Sequence, residues 1–290
     1  RWLKGNFPVG VIGEKADLTY DYKYMGAGPD TLLGPEVKLP EGAKKPMIIV
    51  GQGALARADG AAVLAAAAKV AQGSGVVAEG WNGFNILHTA ASRVGGLDIG
   101  FVPGEGGLDA QAMANGGVEA LFNLGADEID IAPGAFVIYQ GTHGDRGAHR
   151  ADVILPGAAY TEKSGTYVNT EGRAQFTPRA AFLPGDARED WAILRALSGA
   201  LGQTLPFDSL AQLRKALYAA YPHMARIDAI EAGVAGDVSR LAAVAAGAPT
   251  SAPFVNAIQD FYLTNPIARA SAVMAECSAL ASGRMMKAAE

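Results

Sequence analysis

An apolar run, Val153, Ile154 and Leu155, stops at Pro156 and Gly157 and gives way to a polar stretch that continues to Gln175. A short apolar segment closed by Pro and Gly is the pattern of a buried parallel strand reaching the carboxyl edge of a sheet. Ligands of open α/β sheets sit at that edge. The stretch beyond it carries Ser164, Gly165, Thr166, Asn169 and Arg173, residue types suited to receiving an anion. The pattern predicts a buried strand followed by a long loop.

The same alternation runs through the middle of the chain. Phe7 to Ile12 reads as a strand, and Tyr20, Tyr22 and Tyr24 fall on one face if Asp17 to Met25 is extended. Met47 to Val50 reads as a buried strand ending in Gly51-Gln52-Gly53. Asp59 is placed to cap a helix that carries Val63, Leu64, Ala67 and Val70 on one face and ends at Gly73. Val76 to Ala78, Val118 to Leu124 and Ala135 to Tyr139 read as strands, and Ile86 to Val94 as a helix. Gly95 to Gly117 is glycine-rich and reads as a mobile excursion over the sheet edge. Strands alternating with helices predict an α/β fold with a doubly wound, mainly parallel sheet. Beyond Gln175, Asp190 to Leu201, Leu210 to Tyr218, Ile227 to Ala246 and Ile267 to Ala281 read as helices, the last behind the Asn265-Pro266 start signal. The organisation that follows is 1–46 as the end of an upstream lobe with a linker, 47–185 as the α/β domain, and 186–290 as a mostly helical C-terminal region.

Composition limits the chemistry. Cys277 is the single cysteine, so the chain forms no internal disulfide and does not supply four thiolates to an iron-sulfur cluster. A net charge of −5 and a pI near 5.5 oppose binding to nucleic acid. No apolar run reaches bilayer length. Arg1, in place of an initiating Met, reads as a cut end.

Several groups of residues are candidates for sites. Gly51-Gln52-Gly53-Ala54-Leu55-Ala56, between a strand and a helix, matches a dinucleotide fingerprint, with Glu79 as the ribose partner. Glu79 stands too far along for that role, and the Asp59 carboxylate opposes a phosphate; tight turning and close packing explain the glycines better. Thr142 to His149 gathers His143, Asp145, Arg146 and His149, which reads as a loop fixed by an Asp145–Arg146 pair, as an anion nest, or as part of a metal site. Glu162, Lys163, Glu171 and Arg173 read as loop-fixing ion pairs rather than an acid–base pair. His88 reads as a satisfied core histidine and Cys277 as a packing residue. No residue is assigned to catalysis, cofactor or metal.

The order of residues from Ala151 to Gln175 resembles the molybdopterin oxidoreductase superfamily, and within it the G-type large iron-sulfur subunits of NADH:quinone oxidoreductase, respiratory complex I. Ala16 to Tyr20, Lys45 to Leu55, Asn85 to His88, Leu124 to Asp127, Tyr139 to Gly141, Ala187 to Trp191, Asp260 to Tyr262 and Ile267 to Ser271 carry the resemblance over nearly the whole chain. It implies a cofactor-type domain that has kept its fold without the pterin. It implies that the 4Fe-4S and 2Fe-2S clusters lie in an N-terminal region outside this segment, and that other peripheral-arm subunits are the partners. The implied location is peripheral, on the cytoplasmic face of a bacterial inner membrane or the matrix face of the mitochondrial one. The alternative is a catalytic molybdopterin-dependent domain.

Overall fold

A computed structural model of the chain describes residues 7–72, 74–90, 93–230, 238–244 and 247–283. Its elements are mixed α/β with parallel sheets, and they gather into two compact units. One comprises Arg1–Ala91, Thr170–Gly172 and Ile230–Gln259; the other comprises Ser92–Asn169, Arg173–Ala229 and Asp260–Glu290.

In the first unit β1 (Gly10–Ile12) pairs in parallel with β2 (Lys23–Gly26). Strand β1 is thus shorter than its apolar pattern. Of the three tyrosines only Tyr24 enters a strand, because the Tyr22 hydroxyl donates to the Ala16 carbonyl (2.6 Å) and holds the chain in a bend. Next come β3 (Ile48–Gly51), the one-turn helix Gln52–Leu55 and the long helix Gly60–Gln72. The long helix is buried around most of its circumference because its side chains are mostly alanine, a strong helix former that lets neighbours approach closely. Ala68 and Ala71 pack with Val76, Val238 and Ala242, and Ile48 and Phe84 close over them. Gly73, the expected stop, lies outside the described residues.

Three expectations for this unit change. β4 (Val77–Ala78) turns back through Gly80 into β5 (Trp81–Asn82) as an antiparallel hairpin, and Gly80 adopts the positive φ that the turn requires. The expected helix Ile86 to Val94 begins instead as β6 (Phe84–Leu87), which pairs in parallel with β3. Pairing with an adjacent strand outweighs the helical spacing; a helix forms only at Arg93–Asp98, in the second unit, and residues 91 and 92 lie outside the described residues. Finally, β3 is buried only at Val50; Met47 and Ile49 are exposed, because the β3–β6 pair has one face on the alanine helix and the other uncovered.

The second unit is built on β7 (Ala120–Leu124), β8 (Phe136–Gly141) and β9 (Val153–Pro156), all parallel, with β8 central. β9 ends at Pro156 as the sequence predicts, but as an edge strand it leaves Val153 and Ile154 exposed rather than buried. The polar stretch after it is not all loop. β10 (Gly165–Val168) and β11 (Ala174–Thr177) form an antiparallel hairpin whose Val168 and Ala174 pack on Met224. The glycine-rich stretch contains the helix Ala110–Ala114, capped by Asp109, and is tethered near its start: the Tyr221 hydroxyl donates to the Ile99 carbonyl (2.7 Å), and His223 lies 3.3 Å from Asp98.

Helices Asp190–Ala200 and Leu210–Ala220 form where the apolar spacing places them. Ile227 to Ala246 does not form one helix. Asp228 takes a positive φ and its amide donates to Ala174 (2.8 Å), while Val238–Ala242 is helical in the first unit; residues 231–237 and 245–246 lie outside the described residues. The single helix expected from Ile267 to Ala281 is also divided, into Pro266–Arg269 and Ala272–Ala281. Ser271 causes the break, its hydroxyl accepting from the Met274 amide (3.3 Å) and so starting a new helix. Among the described residues no helix is long and apolar enough to cross a membrane.

Candidate functional site

The carboxyl ends of β7 and β8 open into a cleft of about 310 Å³ within the second unit. Leu124 and Gly141, the last residues of those strands, lie on its wall, with Ala158 just beyond β9. Lys163, Asp190, Leu194 and Pro266 bound the remainder. This is the edge at which an open parallel sheet receives ligands.

A buried polar pair lies at its base. Tyr139 and Asp127, each 1% exposed, meet where the Tyr139 hydroxyl donates to Asp127 Oδ2 (3.2 Å); the Gly147 amide donates to Asp127 Oδ1 (3.2 Å). Burial first, and the Asp127 carboxylate second, push the Tyr139 phenol well above its ordinary pKa, so it is a fixed donor. Asn123 exchanges two hydrogen bonds with the Ala126 backbone (3.0 Å each), closing the loop that aims Asp127 inward. Gly147 is required here: a Cβ would stand 2.8 Å from the Tyr139 ring and 2.9 Å from Asp127 Oδ1. Sequence reasoning misses this pair, although an Asp three residues past the end of a strand, in Leu124-Gly125-Ala126-Asp127, is a usable signal.

The charged residues around the cleft are engaged with one another. Lys163 pairs with Asp190, whose other oxygen accepts from Gln140 Nε2 (2.8 Å). Gln140 is 3% exposed and its Oε1 has no hydrogen-bond partner. Arg269 pairs with Asp145, donates to Glu128 (2.7 Å), and donates to the Leu263 carbonyl (3.1 Å). Burial disfavours the charged form of Asp145, but Arg269 and the Arg146 amide outweigh it and hold its carboxyl below the usual range.

The expected Asp145–Arg146 side-chain pair is therefore not made. Asp145 caps the short helix Arg146–His149 and is taken by Arg269, and Arg146 pairs with Asp130 instead. His143 meets the Thr142 hydroxyl (2.7 Å). Among the described residues no three His, Cys, Asp or Glu side chains gather as a metal site. Glu162 accepts from the Ala159 amide (2.9 Å), Ser164 from the Arg179 amide (3.0 Å), and Arg173 donates to the Asp228 carbonyl (2.6 Å), so these residues fix the hairpin region.

In the first unit, Gly51 to Ala56 packs rather than presents amides to a ligand. A Cβ on Gly53 would come within 2.5 Å of Ala257 Cβ, and one on Gly60 would collide with the Leu55 carbonyl. Gln52 accepts from Thr89 through both its amide and its hydroxyl (3.0 Å each), tying the end of β3 to the chain beyond β6. Asp59 does not cap the helix with its side chain. Its carboxylate accepts from Arg57 (2.8 Å) and from the Thr250 hydroxyl (2.7 Å) and amide (2.9 Å); these bonds, Arg57 foremost, hold it far below the ordinary carboxylate range. His88 lies past β6 rather than on a helix, and its Nδ1 is buried without a partner, which corrects its reading as a satisfied core residue.

These contacts decide whether a pterin dinucleotide suits the cleft. Its phosphates require free cations or helix N-terminal amides. Among the lining residues the cation, Lys163, is already held by Asp190, and Asp145 occupies the start of the adjacent short helix. The volume is at the lower end of the roughly 300–1,000 Å³ of small-molecule sites. The residues do not fit the group.

Comparison with known proteins agrees with this architecture. The family model described as molybdopterin oxidoreductase matches residues 1–200, and the one that describes the C-terminal part of the NADH-ubiquinone oxidoreductase G subunit matches residues 229–277. The chain is 42% identical to the mitochondrial NADH-ubiquinone oxidoreductase 78 kDa subunit of Neurospora crassa, over 96% of this chain and 38% of that protein. It is 41% identical to the NADH-ubiquinone oxidoreductase 75 kDa subunit of Reclinomonas americana, over 97% of this chain and 41% of that protein. It is also 41% identical to the mitochondrial NADH dehydrogenase [ubiquinone] iron-sulfur protein 1 of Solanum tuberosum, over 95% and 37% respectively. The chain thus spans about two fifths of the length of these relatives. With a family model matching most of its length, over parallel sheets that open at their carboxyl edge, the chain belongs to the molybdopterin oxidoreductase family.

Proposed function

We propose that this chain is a structural, C-terminal region of a G-type subunit of NADH:quinone oxidoreductase, and that it gives shape to the assembly without carrying a cofactor. The supporting observation is the 41–42% identity to three subunits so named, over at least 95% of this chain. In this reading 1–46 closes an upstream lobe, 47–185 is a doubly wound domain of the cofactor-binding type, and 186–290 is a mostly helical end. Electrons pass through iron-sulfur clusters held outside this segment; Cys277 alone does not provide the thiolates for one. The partners are other subunits of the peripheral arm, and the place of work is the membrane face on which that arm stands.

The test is to tag the full gene product in its own cells and separate native complexes. The tagged protein should migrate with NADH:quinone oxidoreductase activity. Migration apart from that activity removes the proposal.

A further inference from the structure

We propose that residues 260–270 form a strap that closes the carboxyl-edge cleft, and that Arg269 is its latch. The cleft has two sources. Eleven of its twelve lining residues lie between Leu124 and Leu194, inside the segment matched by the molybdopterin oxidoreductase model; the twelfth, Pro266, lies inside the segment matched by the model of the G-type C-terminal part. The walls thus come from the cofactor-domain part of the chain and the strap from the part that resembles complex I subunits.

The strap is fixed along its length. Asp260 accepts from the Ser278 hydroxyl (2.5 Å) and from the Tyr262 amide (2.9 Å), which anchors its first residues to the terminal helix. Asn265 caps the turn that begins with Pro266, accepting from the Ala268 amide (2.9 Å) and setting the proline against the cleft. Arg269 then reaches two carboxylates from separate loops: Asp145 at the start of the helix after β8, and Glu128 in the loop after β7. One guanidinium thereby joins the strap to the loops that leave two adjacent strands. Its bond to the Leu263 carbonyl (3.1 Å) folds the strap on itself. A guanidinium binding two carboxylates is a directional, charge-assisted clamp, and Lys does not reproduce its fork.

The consequence is that the cleft is shut by the chain's own C-terminal part. For that meaning the inference rests on the scaffold function proposed above, but the two fail separately. Loss of co-migration would remove the function and leave the accessibility of the cleft as it is.

Ala158, 1% exposed and on the cleft wall, reports closure. In the full chain carrying Cys277→Ser and Ala158→Cys, the rate of reaction with a small thiol reagent is measured with and without Arg269→Ala. Breaking charge-assisted bonds of this kind should raise that rate by about ten- to a hundredfold. Amide exchange should accelerate over 263–270 while β8 keeps its protection. Arg269→Lys should recover only part of the closure, and Glu128→Gln, which leaves the fold under less strain, should give a smaller increase of the same kind. Faster exchange in the strap with an unchanged thiol rate would overturn the proposal. So would unchanged exchange in the strap of the Arg269→Ala and Glu128→Gln variants.

Discussion

Asp127→Ala should destabilise the chain by about 3–5 kcal/mol, since each buried donor left without its acceptor costs about 1–3 kcal/mol and the packing of the carboxylate is lost as well. The substitution strands two donors at once, the Tyr139 hydroxyl and the Gly147 amide, in a place where Asp127 is 1% exposed. Asp127→Asn keeps an acceptor and should cost clearly less. Adding Tyr139→Phe to Asp127→Ala removes one stranded donor and should recover part of the loss, which a double-mutant cycle in urea unfolding would resolve. Equal stability of Asp127→Ala and the native chain would show that the pair does not hold the base of the cleft.

The second large effect belongs to the glycines that imitate a nucleotide fingerprint. Gly60→Ala drives a Cβ into the Leu55 carbonyl, a backbone atom with no room to move, and should cost about 3 kcal/mol, the upper part of the range for overpacking. Gly51→Ala meets open space at a negative φ of −69° and should change stability by less than about 0.5 kcal/mol. A pyrophosphate site would place its demand on the glycines nearest the strand, Gly51 and Gly53. The packing account places it on Gly53, against Ala257, and on Gly60. Thermal unfolding of the two variants separates them, and a large loss for Gly51→Ala alone would favour the nucleotide.

Much of the fold is legible because local pattern and tertiary demand agree. Pro156 and Gly157 end a parallel strand where the sequence says they should, and the alanine-rich run forms the long helix because its pattern and its partners ask for the same structure. The failures have physical causes. Asn85-Ile86-Leu87 has the spacing of a helix, yet pairing with β3 decides its state, and no local signal encodes that partner. Ser271 falls inside a continuous helical spacing although its hydroxyl is a capping group, a role that becomes visible only once the chain bends there. The exposed Val153 and Ile154 show that an apolar run reports a strand but not whether it lies at the edge of its sheet.

The candidate site is half legible. The carboxyl edge after β9 points to the correct end of the sheet, and Lys163 does fix that region through an ion pair. Its partner Asp190, and the Arg269 partners Asp145 and Glu128, are beyond reach. They stand 27, 124 and 141 positions away in sequence, where only the folded chain brings them together.

The most direct measurement of the central claim is analysis of the purified assembly containing the full tagged subunit for molybdenum, tungsten and pterin, the last by its fluorescence after denaturation and oxidation. The scaffold account predicts all three far below one per tagged chain, alongside full NADH:quinone oxidoreductase activity. Stoichiometric pterin with molybdenum or tungsten would contradict it and make the cleft a working cofactor site.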